Sequence, residues 1–186
     1  MRKIIFVSSN PGKIEEVSKH LKNFGIEVVG KVLELPEVSS DDQEKVAKEK
    51  SKHAARVVGK PVITEDTGLY FDAYKNFPGT HPKFIFESIG YEGIFKLLQG
   101  KVRKASFKTM VSYCEPGKEP KVFAGICKGT ITSEAKGESH PRLPYDSIFI
   151  PDGDTRVFAE MTKEEKAKYS HRAKAIEKFA KWFNKN

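Results

Sequence analysis

The sequence predicts an α/β fold built on a mixed β-sheet, and three features carry that reading. Short apolar strands alternate with amphipathic helical stretches in the first part of the chain. Two long strand patterns, 105–114 and 121–131, flank the turn Glu115-Pro116-Gly117-Lys118 and read as a hairpin. Two helical stretches close the sequence. Strand–helix alternation favours parallel neighbours and a hairpin is antiparallel, so the sheet is expected to be mixed.

The elements follow in order. An apolar strand, Ile4-Ile5-Phe6-Val7, ends in the polar turn Ser8-Ser9. A helix is expected over 11–24, because Asn10 suits the N-cap and Pro11 the first helical position. Ile14, Val17, Leu21 and Phe24 recur at helical spacing, and Gly25 stands just past the end. A short strand is expected at 27–29. The second helix, 42–58, carries the stripe Val46, Ala54, Val57 and Val58. Lys50 falls inside that stripe, so its ammonium must either snorkel outward or meet an anion. A strand at 61–63 should lead into a turn at Glu65-Asp66-Thr67-Gly68 and an alternating strand at 69–73. A loop around Phe77-Pro78-Gly79 precedes a helix near 91–98, and the hairpin follows. From Gly137 to Pro144 the pattern is loop-like. Strands at 147–150 and 157–159 precede the C-terminal helices. Thr162-Lys163-Glu164-Glu165 is a capping box that starts the first of these. Ser170 can cap a second, whose stripe is Ile176, Phe179, Ala180 and Phe183.

The chain of 186 residues fits one domain, 1–186, with room for a core and for two lobes. Cys114 and Cys127 lie in strand-like segments and are expected to be reduced and buried. No Cys/His cluster has zinc-ligand spacing. There is no signal-peptide-like segment and no apolar run of membrane-spanning length, which predicts a cytoplasmic protein without a membrane partner. The net charge is +8 and the pI near 9.3. Basic residues interleave with acids, as in Lys163-Glu164-Glu165-Lys166, which reads as a solvated surface rather than a face for a stable nucleic-acid partner.

Several clusters carry chemistry. In Ser8-Ser9-Asn10-Pro11-Gly12-Lys13 a strand, a turn and a helix N-terminus converge. Unpaired N–H groups and the helix dipole favour an anion there, and Lys13 adds a full positive charge, so phosphate is the natural ligand. The glycine spacing of a Walker A loop is absent. Glu65-Asp66 offers hard oxygen ligands that suit Mg²⁺, and Glu37 in Leu35-Pro36-Glu37 is a further candidate. Near the C-terminus Lys166, His171 and Arg172 would spread around a single straight helix, so they can act together only if the helix breaks, as Ser170 allows. A guanidinium and an imidazole there can read the edge of a base. Tyr145-Asp146 adds an aromatic face and an acceptor.

With these motifs in this order, the chain resembles the inosine triphosphate pyrophosphatases, the family that includes dITP/XTP pyrophosphatases, over nearly its whole length. The matching segments are Ser8-Ser9-Asn10-Pro11-Gly12-Lys13, Leu35-Pro36-Glu37, Glu65-Asp66-Thr67-Gly68-Leu69, Phe77-Pro78-Gly79, Tyr145-Asp146, Phe158-Ala159-Glu160-Met161, Glu165-Lys166 and Ser170-His171-Arg172-Ala173. The resemblance implies an elongated mixed sheet with flanking helices, two lobes around a nucleotide-binding groove, a homodimer and a Mg²⁺-dependent enzyme. It implies that Ser8, Ser9, Asn10, Pro11, Gly12, Lys13 and Lys50 hold a purine nucleoside triphosphate. Glu37, Glu65 and Asp66 would manage the metal, with Asp66 as the base and Lys13 and Glu65 beside it. Thr67 would contact substrate, and Leu143, Pro144, Tyr145, Asp146, Lys166, His171 and Arg172 would surround the base. One stretch departs from the family pattern: His140-Pro141-Arg142-Leu143-Pro144 puts Leu143 where a base-stacking phenylalanine is expected, and Ser147 replaces a proline. The expected activity is hydrolysis of ITP, dITP and XTP to monophosphate and pyrophosphate. A pyrophosphatase for other modified nucleotides and a non-catalytic nucleotide- or RNA-binding protein stay open at this point.

Overall fold

The mixed sheet is present. The structure, a computed structural model, describes residues 2–35, 40–138 and 143–186. Among these, the strands are β1 (Arg2–Val7), β2 (Ile26–Lys31), β3 (Val62–Phe71), β4 (Pro78–Gly79), β5 (Lys104–Cys114), β6 (Lys121–Ile131) and β7 (Phe149–Pro151). The helices are α1 (Pro11–Lys22), α2 (Gln43–Val58), α3 (Pro82–Leu97), α4 (Lys163–Tyr169) and α5 (His171–Phe183). The sheet order is β2-β1-β3-β5-β6-β7, with β4 paired to β3. β1 runs parallel to both β2 and β3, whereas β4 on β3 and β7 on β6 are antiparallel.

The chain divides into two units. The first holds the described residues of Met1–Thr67, Thr109–Gly125 and Arg172–Asn186, and the second those of Gly68–Lys108 and Ile126–His171. In the first unit the period of two along a strand sends alternate side chains to two separate clusters. Ile4 and Phe6 of β1 and Ile63 of β3 join Val17 and Leu21 of α1 and Ile176, Phe179 and Ala180 of α5. Ile5 and Val7 of β1 and Val62 of β3 join Ala54 and Ala55 of α2 and Cys114 of β5. One face of β1 and β3 therefore belongs with α1 and α5, and the other with α2. The core of the second unit gathers Leu69, Phe71, Ile94, Phe107, Phe149 and Phe158.

Local signals explain most element ends. The Asn10 carboxamide accepts the Gly12 N–H at 2.9 Å with Pro11 following, which starts α1 as its sequence predicts. Asp42 caps α2 through the N–H groups of Glu44 and Lys45, and Gly59 ends it at φ 68°. α4 carries its capping box, and the chain breaks at Ser170 before α5.

Three expectations are corrected. The turn expected at Glu65-Asp66-Thr67-Gly68 does not exist, because β3 runs unbroken from Val62 to Phe71. Two adjacent acids are tolerated in that strand because each finds positive charge on its own face, Lys13 and Arg172 for Glu65 and Lys50 for Asp66. The helix expected near 91–98 begins earlier: α3 starts at Pro82, a proper first helical residue, and is kinked where Gly90 adopts φ 59°. Residues 157–159 form no strand. They enter a 3-10 turn, Phe158–Glu160, in which the Glu160 carboxylate accepts the Val157 N–H at 2.9 Å. Both cysteines are buried and free, as expected. No helix among the described residues is long and apolar enough to cross a membrane.

Phe179 is completely buried, stacked on Phe183 at 5.2 Å and edge-on to Phe123 at 5.7 Å. Phe179→Ala should cost about 3–5 kcal/mol in urea denaturation. A loss under about 1 kcal/mol would mean that α5 does not anchor this core.

Candidate active site

The corner between β1 and α1 is tied by its own hydrogen bonds. Ser8 Oγ accepts the Asn10 N–H at 3.1 Å, and the Asn10 side chain holds the Gly12 N–H. Ser9, Pro11 and Gly12 are exposed. The first turn of α1 has no acidic residue and contains Lys13, so the corner is electropositive.

Beyond this corner, the period of β3 decides where the two carboxylates go. Glu65 has the parity of Ile63 and belongs to the face of α1 and α5. There Lys13 Nζ lies 3.1 Å from Glu65 Oε1, and Arg172 Nε donates to Oε2 at 2.8 Å. Arg172 also reaches Glu16 of α1 at 2.9 Å. Thr67 Oγ1 donates to Glu65 Oε1 at 2.8 Å and is itself 2.7 Å from Thr109 Oγ1. The Glu65 side chain is only 1 % exposed. Burial would push its carboxyl pKa up, but the charges of Arg172 and Lys13, with the hydrogen bonds of Arg172 and Thr67, outweigh this and hold it far below the usual range. On Arg172, burial is likewise overcome by Glu65 and Glu16, so the guanidinium is held more firmly protonated than usual.

Asp66 has the parity of Val62 and faces α2. Lys50 Nζ sits 2.5 Å from Asp66 Oδ1, so this lysine meets an anion rather than snorkelling into solvent. The Gln43 amide lies 3.3 Å from the Asp66 carbonyl and 3.5 Å from Oδ2. Asp66 is buried, and the Lys50 ammonium stays partly open.

The remaining predicted residues that the structure describes fall in the second unit. Lys166 of α4 pairs with Asp146, and its ammonium also stands 5.2 Å over the Phe158 ring. His171 is buried and stacks on Phe107 at 4.8 Å. Leu143 is 36 % exposed, and the Pro144 carbonyl accepts the Tyr91 hydroxyl at 2.8 Å. Tyr145 does not offer an open face. Its hydroxyl donates to the Pro82 carbonyl at 2.8 Å, its ring sits edge-on to Phe86 and Phe107, and burial pushes its phenol pKa above the usual range.

Three assignments therefore change. Glu65 stands here as an anchor for cations, with Lys13, Thr67 and Arg172 on its two oxygens, rather than as an open ligand. Arg172 does not present Nε and Nη1 to a base, because Glu65 and Glu16 take them. Tyr145 is a packing residue. Asp66 offers a hard oxygen that meets one cation and one neutral amide, which suits an ion held largely by phosphate oxygens. Among the described residues no three His, Cys, Asp or Glu side chains gather as a metal cage. Pro36 and Glu37, with His140, Pro141 and Arg142, lie outside the described residues.

Sequence reading missed Glu16, Gln43, Thr109 and Phe107. Glu16 stands three residues after Lys13 on α1, so helical spacing could have flagged it. Gln43 carries no local signal, since its partner comes from β3.

A sequence profile of the Ham1 family matches residues 4–182. A dITP/XTP pyrophosphatase of Methanopyrus kandleri is 45 % identical over 185 residues, covering 99 % of this chain and 97 % of that protein. An inosine triphosphate pyrophosphatase of Puccinia graminis f. sp. tritici is 40 % identical, covering 98 % and 97 %. The solved structure of a HAM1 protein from Coxiella burnetii superposes with a TM-score of 0.85 at 25 % identity, covering all of both chains.

The buried Glu65 cluster sets an acid limb of stability. The folded pKa lies below the ordinary value of 4.5, so the unfolded chain takes up the proton first as pH falls. The stabilisation is complete above about pH 4.5 and fades as pH drops toward the folded value. Glu65→Gln should cost about 3–5 kcal/mol at pH 7, by leaving buried Arg172 poorly compensated. The gap to wild type should narrow below pH 4.5 in thermal melts. A gap independent of pH would contradict the ion-pair assignment.

Proposed function

Since this chain belongs to the Ham1 family, we propose that it hydrolyses the deaminated purine nucleoside triphosphates ITP, dITP and XTP to monophosphate and pyrophosphate. The observation that carries the reading is Asp66, a buried carboxylate held by Lys50 and Gln43 on a strand whose opposite face holds Lys13. Relatives named as dITP/XTP and inosine triphosphate pyrophosphatases support the substrate class.

The reaction follows from what these groups can do. The Ser8 hydroxyl, the Ser9 N–H and the Lys13 ammonium bind phosphate oxygens at the positive end of α1. To do so Lys13 exchanges part of its contact with Glu65 for phosphate, while Arg172 keeps Glu65 neutralised. Lys50 offsets charge on the polyphosphate and on Asp66. Asp66 accepts a proton from a water, whose oxygen attacks the α-phosphorus as the bond to the bridging oxygen breaks. Pyrophosphate leaves with that oxygen. Mg²⁺ held by Asp66 and phosphate oxygens would lower the pKa of bound water and offset charge on the leaving group. Most of the rate gain would come from positioning and fixed charges.

Base choice would rest on Lys166, Asp146 and His171. Donors that satisfy a 6-oxo group are left unpaired by the amino group of adenine, and polar mismatches of this kind reach about 10⁴–10⁵ in selectivity. Leu143 would supply apolar contact to the base without a π-face.

A homodimer is part of the same proposal. Phe84 is 65 % exposed on the first segment of α3, where Ile89 is also bared, and apolar side chains so placed suit an interface between copies. Cytoplasmic residence fits two buried free cysteines.

With Mg²⁺ present, ITP, dITP and XTP should yield monophosphate and pyrophosphate, with ATP nearly untouched. Release of orthophosphate, or equal rates on ATP, would reject the assignment. Asp66→Asn should abolish turnover yet still bind nucleotide in calorimetry, and near-normal turnover would remove Asp66 as the base. Light scattering should give twice the chain mass, and Phe84→Glu should shift it toward the monomer. A wild-type monomer would remove the dimer.

A further inference from the structure

We propose that Gln43 is a positioning residue for Asp66, so that α2 holds the catalytic carboxylate at two points. The proposal rests on the reading of Asp66 as the base.

Gln43 is the first residue of α2, a place where a glutamine side chain ordinarily reaches solvent, yet it is 3 % exposed. It is not needed to cap the helix, because Asp42 already accepts from Glu44 and Lys45. Burying a carboxamide is unfavourable unless its polar atoms find partners. Here Nε2 spans the main-chain carbonyl and Oδ2 of Asp66 at 3.3 and 3.5 Å.

The second point of the clamp is Lys50, on Oδ1 of the same carboxylate. Gln43 and Lys50 stand about two helical turns apart, so both project from one face of α2 toward β3. The two contacts are not equivalent. Lys50 brings charge but, as a single contact to one oxygen, leaves the carboxylate plane free to turn. The terminal torsion of aspartate is broad and roughly two-fold, so it does not resist that rotation. A second donor on the other oxygen fixes the plane and aims the remaining lone pairs. Because the carboxamide is neutral, it orients Asp66 without adding a second positive charge beside it.

The test compares Gln43→Met, Gln43→Glu and Ser51→Ala in steady-state kinetics with dITP and in thermal melts. Methionine keeps the length and loses the donor. Glutamate suits the first turn of a helix and should fold, but it sets a carboxylate against Oδ2. Ser51 is a control on the same helix: it bonds Ser112 at 2.8 Å in a buried setting and does not touch Asp66. Both Gln43 variants should lose about 10- to 100-fold in kcat with KM little changed. Ser51→Ala should lower Tm and keep kcat. Folded Gln43 variants with wild-type kcat, or with kcat falling only as Tm does, would overturn the proposal. Absence of dITP hydrolysis by the wild type would instead reject Asp66 as a base and the catalytic role of Gln43 with it. The contact can still be read by NMR, where Asp66→Ala should shift the Gln43 side-chain amide signals, and unmoved signals would reject the clamp itself.

Discussion

The alternation of side chains along β3 is the constraint on which the site depends. Glu65 and Asp66 are neighbours in sequence and, in a regular strand, must leave on opposite faces. Ile63 is shared with α1 and α5, and Val62 with α2, so the hydrophobic pattern has already chosen each face before the acids are placed. A slip of one residue would exchange the two carboxylates and bury each beside the wrong cations.

That separation divides the labour. Glu65 is surrounded by Lys13, Thr67 and Arg172, and its negative charge is what permits a buried arginine. Such a cluster adds little net stability over a well-packed apolar core, since desolvation offsets most of the attraction. Its value is to fix positions: Lys13 is held near the electropositive corner before any phosphate arrives, which reduces reorganisation on binding. Asp66, by contrast, meets one cation and one neutral amide, and so keeps acceptor capacity for a proton or an ion.

Much of this was legible in the sequence because it is local. Asn10 and Pro11, Asp42, the Thr162 capping box and the break at Ser170 are all signalled within a few residues. The hairpin strands β5 and β6 were equally plain, since alternation and a Pro-Gly turn mark them. What could not be read depends on distant partners. A strand carrying Glu65-Asp66 looks like a turn until Arg172, far along the chain, supplies the countercharge. Arg172 itself looked like a base reader because His171 precedes it, yet the boundary between units falls between the two. Tyr145 offered an aromatic face to the eye, and only the Pro82 carbonyl and the Phe86 and Phe107 rings reveal it as packing. Residues 82–89 of α3 were obscured because Gly90, at φ 59°, interrupts the helical spacing between them and the stretch that follows.

The adjacent carboxylates are thus set up for different work, Glu65 organising cations and Asp66 keeping an oxygen for a proton or an ion. The most direct measurement is electron paramagnetic resonance of Mn²⁺, as a stand-in for Mg²⁺, with a non-hydrolysable dITP analogue on wild type, Asp66→Asn and Glu65→Gln. This division of labour predicts that Asp66→Asn weakens Mn²⁺ binding strongly, while folded Glu65→Gln keeps the wild-type ion environment. Loss of the ion in folded Glu65→Gln, with retention in Asp66→Asn, would contradict it.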